Sequence, residues 1–142
     1  MQRPSLLYVI KQLELVVRAR LDDILRPAGI TALQYTALTV LDRHDGLSPA
    51  QLARDSFVRP QSIADLVANL ERRRLVHRTR NPLNRRELVV SLTDEGRQLL
   101  AQYAAAVEDL EGEITTALGS RKVEELRKHL DASRIALTNG VT

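Results

Sequence analysis

The chain of 142 residues has no cysteine and no tryptophan, and its aromatic side chains are three tyrosines and one phenylalanine. Without cysteine it forms no disulfide, binds no metal through a thiolate and has no cysteine redox switch. The apolar stretch at residues 6–10 is soon interrupted by Lys11, Gln12 and Glu14, so it fits neither a signal-peptide core nor a membrane span. We therefore expect a cytoplasmic protein with a single domain, long enough to bury one hydrophobic core.

Positive charge is concentrated in one quarter of the sequence. Residues 54–87 hold nine arginines and four acidic residues, a net charge of +5, whereas the whole chain carries +3. A local excess of this kind suggests a polyanionic partner more strongly than a uniformly basic composition would.

The end of this basic segment has the pattern of a β-hairpin. Residues 75–80 carry two β-branched side chains, Val76 and Thr79. Residues 87–92 alternate apolar with other side chains, which is typical of a strand with one buried face. Residues 81–86 contain the Asn and Pro that favour a turn and place Arg85 and Arg86 at its tip. Two interpretations are open: a wing that enters a nucleic-acid groove, or a connector whose arginines are only solvated.

Start and stop signals divide the rest of the chain into six helices. Their approximate ranges are residues 5–25, 31–42, 49–56, 60–74, 93–118 and 120–138. Thr31 and Ser48 each open a capping box with a glutamine three residues later, and Pro49 and Pro60 stand at first helical positions. A short helix, a tight turn, a second helix and a basic hairpin follow one another in the order of a winged helix-turn-helix. We therefore predict a mainly α fold of the α+β class.

The first and last helices carry more apolar surface than the winged lobe can cover. We therefore assign residues 30–92 to a DNA-binding lobe and residues 5–26 and 94–138 to helices that pair with a second subunit, all within one protomer of residues 1–142. The alternative is an intramolecular helical subdomain.

Three segments carry a resemblance to a known family. They are SPAQLA at 48–53, LERRRLVHR at 70–78 and NRRELVVSLTDEG at 84–96. With them the sequence resembles, over essentially its full length, the MarR family of dimeric winged-helix transcriptional regulators. The third segment compares with that family's wing signature, which Arg86, Leu92, Thr93 and Gly96 fit.

Two positions depart from the family pattern. Asn84 stands at the acidic position of the wing signature, where it can hydrogen-bond Arg86 but cannot form an ion pair with it. Arg74 stands where the family usually has a glycine between the recognition helix and the first strand. The second departure requires a residue other than glycine at a helix C-cap, which is less favourable.

As a winged helix-turn-helix, the chain would place residues 60–74 in the major groove of duplex DNA as the recognition helix. Its polar face is centred on Gln61, Asp65 and Ala68, which would face base edges. Gln can pair with adenine, Asp can accept a hydrogen bond from cytosine, and Ala can contact a thymine methyl group.

Other polar residues suit the sugar-phosphate backbone or the minor groove. The candidates for contacts with phosphate oxygens on the flanks of the recognition helix, in the major groove, are Ser62, Asn69 and Arg72. The candidates beside that helix are Ser48 and Arg59. Arg85 and Arg86 of the hairpin would enter the neighbouring minor groove, where narrow A·T-rich segments concentrate negative potential. For Asp65 the alternative to base contact is an ion pair with Arg59 or Arg72.

The resemblance also implies a repressor that responds to a small anionic or aromatic effector and binds a near-palindromic operator as a homodimer. The sequence does not locate an effector site. Tyr8, Tyr35 and Tyr103 are candidates for lining one, although tyrosines at helical spacing are usually core residues. Arg18 and Arg20 could hold a carboxylate, or they could simply be solvated.

No reactive constellation is visible. The three histidines, His44, His77 and His129, do not fall at metal-ligand spacing, and the sequence has neither a glycine-rich phosphate loop nor a nucleophile elbow. We therefore expect no enzymatic activity, no metal site and no cofactor. The alternative function is a winged-helix module for protein or RNA interaction without operator specificity. The basic hairpin lacks the aromatic side chains on which a reader of single-stranded RNA stacks bases.

Overall fold

The computed structural model describes residues 2–139, and these form six α-helices, one 3-10 turn and one two-stranded antiparallel sheet. In chain order the elements are α1 (Leu6–Leu25), the 3-10 turn (Arg26–Ala28), α2 (Ala32–Arg43), α3 (Pro49–Ser56), α4 (Pro60–Arg72), β1 (Val76–Asn81), β2 (Asn84–Leu92), α5 (Asp94–Leu118) and α6 (Ser120–Asn139). The predicted mainly helical architecture with one hairpin is confirmed. The chain divides into two compact units, residues 1–104 and 105–142.

Helices α2, α3 and α4 share a core with the hairpin. Its fully buried side chains include Leu38 and Leu41 of α2, Leu52 of α3, Leu70 of α4 and Leu92 of β2. Each element contributes one apolar face, as the periodicity of the sequence predicted. The core therefore fixes α4 against the hairpin and leaves the other face of α4 open.

Local caps set the starts of the helices. Thr31 forms the predicted capping box, since its Oγ1 accepts from the backbone N–H of Gln34 at 3.2 Å and Gln34 Oε1 accepts from the N–H of Thr31 at 2.9 Å. The second predicted box is only half formed. Ser48 accepts from the N–H of Gln51, but the Gln51 side chain bonds Asp55 and Arg54 instead of turning back to Ser48.

Helix α4 ends two residues earlier than predicted. Arg74 has φ 61°, in the left-handed region, its N–H bonds the carbonyl of Glu71 at 2.9 Å, and the N–H of Leu75 bonds the carbonyl of Leu70 at 3.0 Å. These two bonds are the Schellman motif, which requires a left-handed residue at the position of Arg74. The expected departure from glycine is therefore real: Arg74, the residue after the C-cap Arg73, adopts this conformation.

The hairpin, which we call the wing, differs from the prediction at its tip. The turn is only Pro82–Leu83, and Asn81 pairs with Asn84 while Arg80 pairs with Leu88. Residues 85–87 are therefore a bulge in β2, outside the regular ladder. The prediction that the two arginines occupy the turn is wrong, because the chain reverses sooner and the extra residues are absorbed by the bulge.

Helix α1 has one buried residue, Leu25, and exposes eight large apolar side chains between Leu6 and Val16. At its start, Ser5 Oγ accepts from the backbone N–H of Tyr8 at 3.1 Å. None of the helices within residues 2–139 is long and apolar enough to cross a membrane.

The second unit contains the end of α5 and the whole of α6. Ile114, Val123 and Leu126 are half-buried there, and Arg127 Nη2 contacts Glu111 Oε1 at 3.2 Å. No residue of α6 is buried, and Leu130 and Leu137 are exposed.

Candidate nucleic-acid interface

Helix α4 has an apolar inner face and a polar outer face. Ile63, Val67 and Leu70 are buried, whereas Gln61 and Asp65 are exposed. Their spacing of four residues places Gln61 and Asp65 on one side of the helix, which is the arrangement that base readout in a major groove requires. Ala68, the third predicted base-facing residue, is half-buried.

The flanking residues of α4 differ in their surroundings. Ser62 and Arg72 are exposed, but Asn69 is half-buried, and its Oδ1 accepts from Gln34 Nε2 of α2 at 3.2 Å. That bond leaves the Asn69 amide nitrogen available as a donor and fixes the orientation of the side chain. Within the described residues Asp65 makes no ion pair, so the suggested pairing with Arg59 or Arg72 does not occur.

Ser48 and Arg59 stand at the N-caps of α3 and α4. The Ser48 hydroxyl oxygen accepts from the backbone of Gln51, and its hydrogen remains free to donate. Arg59 provides no side-chain cap, and its guanidinium is exposed. Helix N-termini attract anions, so both residues occupy positions that suit a phosphate.

The bulge of the wing is braced from inside. Arg80 Nη1 donates to the carbonyl oxygen of Arg85 at 2.8 Å, and Asn81 Nδ2 donates to Glu87 Oε2 at 3.1 Å. Asn84 Oδ1 accepts from the backbone N–H of Arg86 at 3.2 Å. The residue that replaces the usual acidic one thus holds the backbone of Arg86, whose guanidinium has no partner among residues 2–139.

The nine arginines of the basic segment fall into two groups. Four donate hydrogen bonds within the protein: Arg54, Arg73, Arg78 and Arg80. Five have no side-chain partner in the part of the chain that the structure describes: Arg59, Arg72, Arg74, Arg85 and Arg86. The sequence does not distinguish the two groups, because it does not show which guanidinium groups find a partner in the folded protein.

The pair formed by Arg78 of β1 and Glu71 of α4 was not predicted. Arg78 Nη2 lies 2.8 Å from Glu71 Oε1, and Arg78 Nε lies 3.2 Å from Oε2. The side-chain hydrogen bond from Arg78 lowers the pKa of the Glu71 carboxyl, and the same bond raises the pKa of the arginine. The contact is therefore a bidentate ion pair that joins α4 to the wing.

A cavity of ≈ 380 Å³ lies between α1 and α2. Its lining residues are Glu14, Val17, Arg18, Leu21, Ala32, Leu33, Thr36 and Phe57. Arg18 Nη2 bonds Glu14 at 2.8 Å, whereas Arg18 Nε is buried without a hydrogen-bond partner. The tyrosines suggested as lining residues are not among them: Tyr8 is exposed, Tyr35 is buried and Tyr103 is half-buried.

Phe57 is the one aromatic residue of that cavity lining. It has φ 62° in the turn between α3 and α4, and its side chain is 79% exposed. An exposed ring in a left-handed position is unusual, because residues with a Cβ avoid that region.

Comparison with known proteins gives consistent matches. A model of the MarR family matches residues 28–87. A helix-turn-helix transcriptional repressor of Mycobacterium tuberculosis is 28% identical over 124 residues, which are 87% of this chain and 89% of the relative.

Solved structures agree with this match. The repressor CouR of Rhodococcus jostii, bound to a 23-mer DNA duplex, superposes with a TM-score of 0.84 at 28% identity over 92% of each chain. A MarR family protein of M. tuberculosis in complex with p-aminosalicylic acid superposes with a TM-score of 0.73 at 27% identity, over 91% of this chain and 98% of that one. With its recognition helix, its wing and these matches, the chain is similar to the DNA-binding transcriptional regulators of the MarR family.

Proposed function

We propose that this protein is a repressor that binds a near-palindromic operator as a homodimer, with α4 in the major groove and the wing in the adjacent minor groove. One observation carries the proposal: α4 exposes Gln61 and Asp65 on its polar face and leads directly into a wing whose Arg85 and Arg86 have no side-chain partner in the described structure. Because a regulator of this kind acts on DNA, we place it in the cytoplasm, and we assign it no enzymatic activity.

The proposed contacts divide into readout and positioning. Gln61, Asp65 and Ala68 face base edges, whose donors and acceptors differ between base pairs in the major groove. The phosphate oxygens are contacted by Ser48, Arg59, Ser62, Asn69 and Arg72, which fix the register without reading sequence. Arg85 and Arg86 enter the minor groove from the bulge of β2, where a narrow groove strengthens the attraction of a guanidinium.

The homodimer is supported by apolar surface that one protomer leaves uncovered. Eight large apolar side chains between Leu6 and Val16 are exposed, as are Leu130, Ile135 and Leu137 of α6. Exposed apolar side chains on α1, and others on α6, mark candidate association surfaces. In a twofold dimer the two recognition helices lie about 34–36 Å apart, one turn of B-DNA.

We also propose that a small aromatic carboxylate, held in the cavity between α1 and α2, changes the affinity for DNA. Arg18, whose Nη2 pairs with Glu14, keeps a buried Nε without a hydrogen-bond partner, and Phe57 offers an exposed ring. A buried polar group gains from a partner, and an aromatic ring gains from stacking. The complex of a similar protein with p-aminosalicylic acid, an aromatic carboxylic acid, supports this class of effector.

The experiment is selection of bound duplexes from a random pool, followed by mobility-shift titration of the selected duplex against a scrambled one, with and without p-aminosalicylic acid. We expect a palindromic preference and weaker binding by Arg86→Ala with the fold intact. Arg121→Ala removes the same charge from α6 and serves as the matched control.

Salt dependence provides a second readout. If each subunit neutralises about four phosphates, the slope of log K against log salt is about −7. Equal affinity for selected and scrambled duplexes would favour a protein- or RNA-interaction module instead. Equal affinity of Arg86→Ala and the unmodified protein would rule out the role of the wing.

A further inference from the structure

The wing loses its packing against the rest of the protein part of the way along its length. Arg78 pairs across the ladder with Val90, which is fully buried, and Val90 also forms a bridge to Leu47, with N–O distances of 3.0 and 2.7 Å. Beyond this level Thr79 and Leu88 are exposed. The direction of the outer wing is therefore set at the level of Arg78 and Val90.

Two attachments hold the wing at this level. On one strand, Val90 bonds the backbone of Leu47, which precedes α3. On the other strand, Arg78 forms the bidentate ion pair with Glu71, in the last turn of α4. Of these two attachments, only the second reaches the recognition helix through side-chain hydrogen bonds, and a single substitution can remove it.

We propose that Glu71 and Arg78 are positioning residues: their ion pair fixes the angle between the wing and α4, so that Arg86 meets the minor groove while Gln61 occupies the major groove. This inference rests on the proposed function. It assigns to Arg78 a role different from the phosphate contact that its place in the basic segment would suggest.

The physical basis is the linkage of two contacts on one rigid body. Once α4 has docked in the major groove, Arg86 is tethered next to the minor groove. Its effective concentration there is higher when the direction of the wing is more narrowly restricted. A planar guanidinium held at two points restricts direction, whereas a lysine ammonium makes no such fork. Ion pairs between partly exposed groups contribute little to folding, so the effect falls mainly on binding.

The test is a double-mutant cycle on the selected palindromic duplex, with the unmodified protein, Glu71→Gln, Arg86→Ala and the double variant. Arg86→Ala lowers the affinity for the duplex by some factor in the unmodified protein. We expect this factor to be at least about threefold smaller in the Glu71→Gln background, because coupled sites show such non-additivity. Glu71 and Arg86 have no direct contact among the described hydrogen bonds and ion pairs, so a merely structural role for Glu71 would leave that ratio unchanged.

Two controls separate geometry from charge. Glu95→Gln removes the same charge from an exposed residue at the start of α5 and should leave the ratio unchanged. The exchange Glu71→Arg with Arg78→Glu restores an ion pair without altering net charge. In this background Arg86→Ala should again lower DNA affinity as much as it does in the unmodified protein.

The inference is overturned if the loss of DNA affinity caused by Arg86→Ala shrinks by less than about threefold in the Glu71→Gln background, or if the exchange of Glu71 and Arg78 fails to restore that loss. In the Arg78→Lys background, the loss of DNA affinity caused by Arg86→Ala should be smaller as well, because lysine cannot form the bidentate pair. If Arg78→Lys instead bound like the unmodified protein, the charge alone would matter, which would indicate that Arg78 contacts a phosphate. Failure of the unmodified protein to prefer its palindrome would contradict the proposed function, which is a separate outcome.

Discussion

Arg73, at the C-cap of α4, donates a hydrogen bond from Nη1 to the carbonyl oxygen of Gly29 at 2.6 Å, across 44 residues of sequence. Its Nη2 donates to the carbonyl of Ala28. Gly29 has φ 69°, and a Cβ at this position would lie 3.3 Å from Arg73 Nη1. The end of the recognition helix is therefore held against the turn that follows α1.

Replacing Arg73 should weaken the fold more than replacing its neighbour. We expect Arg73→Ala to lower the free energy of unfolding by about 1–2 kcal/mol, because it removes two charge-assisted hydrogen bonds to carbonyl oxygens. Arg72→Ala, which removes an arginine without an intramolecular partner among the described residues, should change it by less than about 0.5 kcal/mol. Urea unfolding measures both, and equal midpoints for the two variants would contradict the prediction.

Arg74 is the position where a smaller residue should help. A residue with a Cβ in the left-handed region is strained by about 1 kcal/mol relative to glycine, so Arg74→Gly should raise the free energy of unfolding. Arg72→Gly makes the same change inside α4 and should lower it by up to about 1 kcal/mol. A destabilised Arg74→Gly variant would show that the arginine side chain makes a contact that outweighs the strain.

These two arginines illustrate what the sequence could and could not predict. The helices and their starts were predictable because caps and apolar periodicity are local signals, as at Thr31 and Pro60. The strained Arg74 was predictable too, since the family pattern places a glycine there. The partner of Arg73 was not, because it is a pair of backbone carbonyls brought near only by the packed fold.

The candidate site divides in the same way. The outer face of α4, with Gln61 and Asp65, follows from helical periodicity, and both residues are exposed as that face requires. The bulge at residues 85–87 does not follow, because strand register depends on where the chain reverses. The base and phosphate contacts assigned to these residues stay predictions until a complex is measured.

Gly96 and Gly112 of α5 should respond in opposite directions to the same substitution. A Cβ on Gly96 would clash with the backbone carbonyl oxygen of Leu75 and lie 2.8 Å from Leu92 Cδ1. Gly96→Ala should therefore lower the free energy of unfolding by about 2–3 kcal/mol through overpacking.

Gly112→Ala is its matched control in the same helix. Apart from the neighbouring backbone of α5 itself, no described atom lies within 4 Å of the added Cβ, so the substitution should stabilise the fold by up to about 1 kcal/mol through helix propensity alone. Thermal unfolding of the two variants decides the point. If Gly96→Ala were tolerated, α5 would not pack against the base of the wing as closely as the structure has it.

The ion pair between Glu71 and Arg78 gives stability a defined dependence on pH. The hydrogen bond from Arg78 lowers the pKa of the Glu71 carboxyl below its ordinary value of 4.5. A carboxyl whose pKa is lower in the folded state stabilises that state above its unfolded pKa, and the contribution disappears as pH falls through the folded value. The difference in free energy of unfolding between the unmodified protein and Glu71→Gln should thus be constant from pH 7 to about pH 5 and shrink at lower pH.

Urea titrations across this pH range test the prediction. A difference that grows on acidification would mean that Glu71 is not held by a charged partner. Added salt should also reduce the difference, since both side chains are partly exposed.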